Sequence, residues 1–149
     1  MYIFTKYFHH LQYMLMQTLY EDPYLTILHD EARQVIYTKT TPQGAELTHE
    51  QIRALILTLA GHIKAQRPRF MMANDQERGF VYDVPLQKWV ADTLAEAAVS
   101  VGAQKYAVLL PTELIKALST EQVAEEVVGA PFEIAYFDNE QAAWDWFEA

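Results

Sequence analysis

Three short polar segments hold most of the side chains that could act together chemically. They cover residues 74–78, 111–113 and 138–140, and each follows a short apolar run. Paired carboxylates such as Asp75 and Glu113 can in principle act as general acid and base. The sequence places no nucleophile, metal cage or substrate-binding motif beside them. Contact with a partner or ligand is therefore the functional alternative to a set of solvated loops.

Seven residues from this part of the chain are candidates for contact with a ligand or partner. They are Asp75, Glu77, Arg78, Asp83, Thr112, Glu113 and Asp138. Asp83, Thr112 and Asp138 are also predicted to cap helices. Asp75 and Glu77 are expected to be exposed turn residues, so reversing their charges should change stability little.

The other reactive side chains fit no catalytic pattern. The absence of Cys excludes disulfides, thiolate metal sites and thiol nucleophiles. Neither serine lies in a nucleophile-elbow motif, no glycine-rich phosphate loop occurs, and no histidine belongs to H-E-x-x-H. Residues 29–31 (His-Asp-Glu) and 9–10 (His-His) are conceivable metal ligands, but the first set is expected in an exposed hairpin turn. We predict a non-enzyme without a cofactor or metal.

Hydrophobic periodicity predicts the elements that must position these residues. Strands are expected over 24–29, 33–39, 69–74, 105–110 and 132–137. Helices are expected over 48–66, 84–101, 112–118 and 119–128, with a last helix from Asp138 to Phe147. Residues 48–51 fit a capping box, and Trp89 lies on the apolar stripe predicted to be buried in the second helix. Trp144, Trp146 and Phe147 cannot all face one way, so one of them should stay partly exposed.

The order of these elements predicts an α/β fold in one domain. Strands separated by helices give a mainly parallel sheet, and the opening hairpin makes it mixed, with about five strands. The domain is expected to span residues 21–149, and residues 1–20 form an N-terminal extension. Apolar residues from Tyr2 to Leu15 suggest a short helix in this extension. Residues 1–15 are predicted to lie outside the core. An alternative is that the biological start is Met14 or Met16.

The charge distribution argues against several classes of partner. The formal net charge is −9, and residues 113–149 hold nine acidic residues against Lys116 alone. An acidic surface repels nucleic-acid phosphates and anionic lipid headgroups, so neither is an expected partner. The N-terminal residues lack the features of a signal peptide, and no apolar run could span a membrane. We expect a cytoplasmic protein.

The element order and several segments resemble the STAS domain, the fold of bacterial anti-sigma factor antagonists and sulfate-transporter tails. The segments are YLTILHDEARQVIYTKT, RFMMANDQ, KYAVLLPTELIKAL and FEIAYFDNEQAAWDWF. They are most similar to small bacterial STAS-like proteins of the SpoIIAA-like group. The resemblance covers roughly residues 22–149 and depends on pattern and topology.

The resemblance implies a regulatory domain that acts through protein contacts. STAS antagonists carry a phosphorylatable Ser at the start of the helix after the third strand. Here Asp83 matches the family's Asp, but Val84 stands where the Ser would be, so this switch is not expected. We predict a non-enzymatic interaction module, acting as a homodimer with an unknown protein partner. The alternatives are a carrier with an apolar pocket near Phe70, Trp89 and Tyr106, and an enzyme of unrecognised type.

Overall fold

The structure, a computed structural model, describes residues 15–118 and 132–149. In these residues six strands form one sheet and four helices pack around it. The strands are β1 (Gln17–Glu21), β2 (Leu25–Asp30), β3 (Val35–Thr40), β4 (Phe70–Asn74), β5 (Lys105–Leu109) and β6 (Glu133–Phe137). The helices are α1 (His49–Gln66), α2 (Val84–Ser100), α3 (Thr112–Ala117) and α4 (Glu140–Glu148).

The strands lie side by side in the order in which they occur along the chain. The first three are antiparallel neighbours, and β3 to β6 are all parallel. The β3–β4 and β4–β5 connections each contain a helix. The β5–β6 connection contains α3 and lies partly outside the described residues. The α/β fold with a mixed, mainly parallel sheet is thus confirmed.

The sheet has one strand more than predicted, and this strand comes from the assumed N-terminal extension. Residues 17–21 form β1, which pairs with β2 with an irregularity between Thr18 and Tyr20. Met16 is buried against the face of the sheet that carries Leu28. The sheet therefore begins before residue 21. The sequence did not predict this strand because its residues show no clear alternation of polar and apolar side chains. The short helix expected from Tyr2 onwards lies mostly outside the described residues.

The helices α1 and α2 cover one face of the sheet. The predicted capping box is present, since Thr48 Oγ1 accepts a hydrogen bond from Gln51 N and Gln51 Oε1 accepts one from Thr48 N. The predicted apolar stripe of α1 is buried: Ile52, Leu55, Ile56, Leu59 and Ile63. In α2, Trp89 is only partly buried, because the contact with the core is made by Leu86, Val90, Ala97 and Ala98.

The last helix, α4, packs on the opposite face. Trp144 and Phe147 are buried there against Phe70, whose ring stacks on Phe147 with centroids 4.8 Å apart. Trp146 stays partly exposed at the edge of this cluster, which confirms that the three aromatic residues do not share one face. Burying these large rings makes α4 the principal cover of β4 to β6 on this side.

Two predicted helix caps are wrong by one residue. The N-cap of α3 is Pro111, and the Thr112 side chain caps nothing. The N-cap of α4 is Asn139 rather than Asp138, and Asn139 Oδ1 accepts from Ala142 N at 2.9 Å. The helix predicted over 119–128 lies outside the described residues. In the parts of the chain that the structure describes, no helix is long and apolar enough to cross a membrane.

Candidate functional site

The three polar segments predicted from the sequence meet where the parallel strands end. We call residues 74–83, 110–114 and 138–140 the carboxyl edge of the sheet. Gln76 links all three, because its Nε2 donates to the carbonyl of Asp138 at 2.7 Å and lies 3.4 Å from that of Leu110. Thr112 Oγ1 lies 3.3 Å from Asp138 Oδ2. Ligands of open parallel sheets bind at this end of the strands, so the location is a reasonable binding surface.

Asp75 is not the exposed turn residue that the sequence predicted. Its side chain is only 20% exposed, next to Arg78 at 28%. Asp75 Oδ2 lies 3.7 Å from Arg78 Nη1, and Asp75 Oδ1 is 3.3 Å from Thr40 Oγ1. Burial raises the pKa of the Asp75 carboxyl, although Arg78 and the Thr40 hydroxyl both act to lower it. Asp75 therefore belongs to the frame of the carboxyl edge, and its charge reversal would disturb the fold.

Two tyrosines complete the partly buried polar cluster of Asp75 and Arg78, and the sequence did not predict either of them there. The Arg78 guanidinium lies over the Tyr82 ring at 4.2 Å. Burial raises the pKa of Tyr82 to about 12. Burial also raises the pKa of Tyr106, and the charge of Asp75 adds to that effect. Both phenols therefore stay protonated at neutral pH. The sequence places Tyr106 in a strand and in a possible carrier pocket, because periodicity does not show that its side chain faces the segment after the neighbouring strand.

A close backbone contact fixes the segment that carries this cluster. Gly79 N donates to the Thr41 carbonyl at 2.8 Å. A Cβ atom on Gly79 would lie only 2.1 Å from the Pro42 carbonyl oxygen, so only glycine fits without a shift. Arg78 Nε donates to the carbonyl of Phe80 at 3.1 Å. The segment between β4 and α2 is thereby held against the loop that precedes α1.

The remaining candidate residues lie on the surface of the carboxyl edge. Glu77, Asp83, Glu113 and Asp138 are all exposed. Asp83 caps α2 as predicted, accepting from Leu86 N at 2.9 Å, and it lies 3.5 Å from His49 Nε2. The structure thus brings the seven predicted residues to one edge in two groups. Asp75 and Arg78 form the partly buried frame, and the others form an acidic outer surface.

A second polar network lies behind this surface, on the α4 side of the sheet. Asn74 Nδ2 donates to Tyr37 Oη at 3.1 Å, and Tyr37 Oη donates to Glu140 at 3.3 Å. Glu140 also accepts from Trp144 Nε1 at 3.0 Å. This network ties the end of β4 to the start of α4. The sequence could not show it, because it joins residues far apart in the chain.

A deep apolar pocket near Phe70, Trp89 and Tyr106 would favour the carrier alternative. The structure separates these side chains: Phe70 packs on the α4 side, whereas Trp89 and Tyr106 pack on the side of α1 and α2. They cannot line one pocket. A pocket of about 80 Å³ does lie beside Phe70, but it is much smaller than the roughly 300–1,000 Å³ of typical small-molecule sites.

The predicted His-Asp-Glu turn also differs from expectation. His29 is buried in β2, and Asp30 binds the Arg33 side chain at 2.6 Å. Within residues 15–118 and 132–149 no three acidic or histidine side chains are grouped as metal ligands would be.

Comparison of the chain with protein-family models, curated proteins and solved structures gives no match.

Proposed function

We propose that the protein is a non-enzymatic, STAS-like interaction module that binds a protein partner through the carboxyl edge. The observation that carries this proposal is the exposure of large apolar side chains there. Val81 is 71% exposed, Val84 81% and Leu114 47%. Val81 and Val84 follow β4 and Leu114 follows the neighbouring strand β5, so they lie at the same edge. Exposed apolar residues inside a polar rim are typical of protein-binding sites.

The charge of the carboxyl edge favours a basic partner. Glu77, Asp83, Glu113 and Asp138 are exposed at the same edge as the apolar side chains, whereas the guanidinium of Arg78 is engaged with Asp75 and Tyr82. Complementary charge mainly accelerates association and selects the partner, and apolar contact supplies most of the affinity. The partner surface should therefore combine basic residues with exposed aliphatic or aromatic side chains.

The position of Val84 supports regulation by binding rather than by phosphorylation. Val84 is the first residue of α2, and Asp83 already occupies the cap. In the STAS resemblance this is the position of the phosphorylated Ser. An aliphatic side chain there cannot accept phosphate, and its exposure makes it available to a partner. The proposal therefore keeps the interaction role implied by the resemblance and omits its phosphate switch.

Site-specific photo-cross-linking tests the proposal. A photoreactive amino acid is introduced singly at Val81, Val84 or Leu114. The control positions are Leu57 on α1 and Val99 on α2, which are also exposed. Cross-linking in the native cells should attach the same protein at the three edge positions and not at the controls. Equal cross-linking at all five positions, or none at the edge, would contradict the proposal.

Once that partner is identified, charge reversal measures the electrostatic contribution to the association rate. The variant Glu77→Lys/Asp138→Lys should slow association, and more at low salt than at high salt. Glu31→Lys/Glu96→Lys is the control, since these exposed residues lie in the β2–β3 turn and near the end of α2, and the net charge changes equally away from the edge. Stopped-flow association rates over a range of salt distinguish the two. The homodimer stays a prediction, which sedimentation velocity tests.

A further inference from the structure

The two outer strands of the sheet differ in regularity and in composition. β1 is the first of them, and its pairing with β2 is irregular between Thr18 and Tyr20. It also carries the polar residues Gln17 and Glu21. Among the described residues β6 is the other outer strand, and it pairs with β5 without interruption along its whole length. Irregular pairing and polar residues protect an outer strand from pairing with a second chain, so β1 is protected and β6 is not.

The side chains of β6 are suited to a contact that excludes water. The strand has one charged residue, and the other four are apolar or aromatic and only half-buried: Ile134, Ala135, Tyr136 and Phe137. Beside them Trp146 of α4 is also partly exposed, and its ring centroid lies 5.6 Å from that of Phe137. A regular apolar outer strand invites aggregation when it stays open, so a specific partner for it is expected.

The direction of the peptide groups of β6 follows from its pairing with β5. Glu133 N donates to the backbone just before β5 at 3.0 Å, and the Phe137 carbonyl accepts from the backbone just after it at 2.9 Å. Alternate residues of a strand face one neighbour, so residues 133, 135 and 137 face β5. The peptide groups of Ile134 and Tyr136 therefore point away from β5. A strand added at this side of the sheet would bond to these two residues.

The sequence of β6 is complementary to a second copy of itself. When two copies pair antiparallel about a two-fold axis at Ala135, Ile134 of each copy lies opposite Tyr136 of the other. This register brings the outward donors and acceptors of the two copies together. It also sets a β-branched side chain opposite an aromatic one on the same face, which is a favourable cross-strand pair. Glu133 then lies opposite Phe137, so no like charges are directly opposed within the two strands.

The residue at the axis and the charge of the chain both favour a second copy over a foreign strand. Ala135 would lie opposite its own copy in the closer type of antiparallel pair, with Cα atoms about 4.5 Å apart, where a small side chain fits. A foreign peptide would not require a small residue at the centre of β6. The net charge of −9 makes two copies repel each other, so self-association needs a surface with little charge, and β6 contributes only Glu133.

We propose that the protein forms a homodimer in which the β6 strands of two copies pair antiparallel about Ala135 and join the two sheets into one. This contact goes beyond the proposed function, since it is centred on the outer strand rather than on the exposed apolar residues of the carboxyl edge. It is tested on the purified chain without any other partner, so its failure would leave the proposed function untouched.

Cysteine cross-linking of the full chain tests the register, because the chain has no cysteine of its own. Ala135→Cys should give a disulfide-linked dimer on mild oxidation, since Cα atoms about 4.5 Å apart satisfy disulfide geometry. Glu133→Cys is the matched control on the same strand and face, where the two copies of the residue would lie about 14 Å apart. Thr18→Cys, exposed on β1, is the control for the other outer strand. Both controls should cross-link at least about tenfold more slowly.

Sedimentation velocity with charged variants gives a second test that needs no disulfide. The wild type should sediment as a dimer at micromolar concentration. Ala135→Lys and Ala135→Glu each set two like charges against each other at the axis, so each alone should raise the dimer dissociation constant by at least about tenfold. An equal mixture of the two variants sets opposite charges there and should sediment as a dimer again.

The proposal is overturned if the wild type sediments as a monomer, which would leave β6 to a foreign strand or to another part of the chain. It is also overturned if Glu133→Cys or Thr18→Cys cross-links as fast as Ala135→Cys. A mixture of the charged variants that stays monomeric would contradict it as well. If circular dichroism shows that the charged variants lose their fold, the comparison of the three cysteine variants still decides.

Discussion

Replacing Arg78 with Gln tests how the carboxyl edge holds its buried carboxylate. Arg78 is the cation beside Asp75, at 3.7 Å, and both side chains are mostly buried. The Arg78→Gln variant keeps a polar side chain of similar reach but leaves Asp75 without its counter-charge. We expect this variant to be less stable than the wild type at neutral pH, because an unpaired buried carboxylate is costly.

The magnitude follows from the separation and the exposure. At 3.7 Å and an effective dielectric constant of about 20, the gross attraction is about 4.5 kcal/mol. Solvent reaches a fifth of Asp75 and more than a quarter of Arg78, and the separation exceeds hydrogen-bond distance. Screening reduces the loss in unfolding free energy to about 1–3 kcal/mol at pH 7.

The pH dependence has a definite sign. Burial raises the Asp75 pKa above its unfolded value, so the folded protein binds this proton more tightly than the unfolded chain does. The contribution of Asp75 to stability is thus most favourable below the unfolded pKa and falls as the pH rises through the folded pKa. Without Arg78 the carboxyl pKa rises further. The defect of Arg78→Gln should therefore be largest at pH 7 and shrink as the pH approaches 4.

Urea unfolding, followed by tryptophan fluorescence between pH 4 and 8, measures this. Asp75→Asn keeps an acceptor for Thr40 and should change stability by less than about 1 kcal/mol at pH 7. Adding Asp75→Asn to Arg78→Gln should restore most of the loss. Lys88→Gln breaks an exposed ion pair and should change little at any pH. An equal defect of Arg78→Gln at both ends of the pH range would refute this account.

Three further predictions concern the frame of the domain. Leu55→Ala should cost roughly 2–5 kcal/mol in chemical unfolding, whereas Leu57→Ala, on the exposed side of the same helix, should cost little. Gly79→Ala should lower the free energy of unfolding by roughly 1–3 kcal/mol, because its Cβ would clash with the backbone of the loop before α1. Gly61→Ala is the control: its Cβ would meet nothing, and it should raise the free energy of unfolding by up to about 1 kcal/mol. A chain that begins at Met16 should give the far-ultraviolet circular dichroism and cooperative unfolding of the full chain, since it retains β1; loss of cooperative unfolding would contradict this.

The sequence predicts the main elements well where a periodic apolar pattern meets a local signal. The first crossover helix has both, with a capping box at Thr48 and a stripe from Ile52 to Ile63, and its bounds differ from expectation by one residue. β1 lacks such a pattern, because it is a short edge strand whose residues are mostly polar or half-exposed. Its existence depends on pairing with β2, which no local signal reports.

The sequence predicted where the candidate site lies but not which of its residues are buried or what they contact. Parallel topology alone brings Gln76, Thr112 and Asp138 to one edge. Asp75 is partly buried because it contacts Thr40 and Arg78. Tyr106 belongs to the same cluster because neighbouring strands pack side by side. The Arg33–Trp144 stack was likewise not predicted from the sequence, since it joins residues more than a hundred positions apart. Contacts of this kind depend on tertiary packing, which single-sequence patterns do not contain.

The most direct test of the proposed interaction role is native mass spectrometry of the protein purified from its own cells. It would show subunit number, a bound partner and a bound ligand together. The proposal predicts a protein partner bound to the wild type and to Leu57→Gln/Val99→Gln, and lost from Val81→Gln/Leu114→Gln, because apolar contact at the edge supplies most of the affinity. Retention of the same partner by the edge variant, or a bound small molecule in place of any protein, would contradict it.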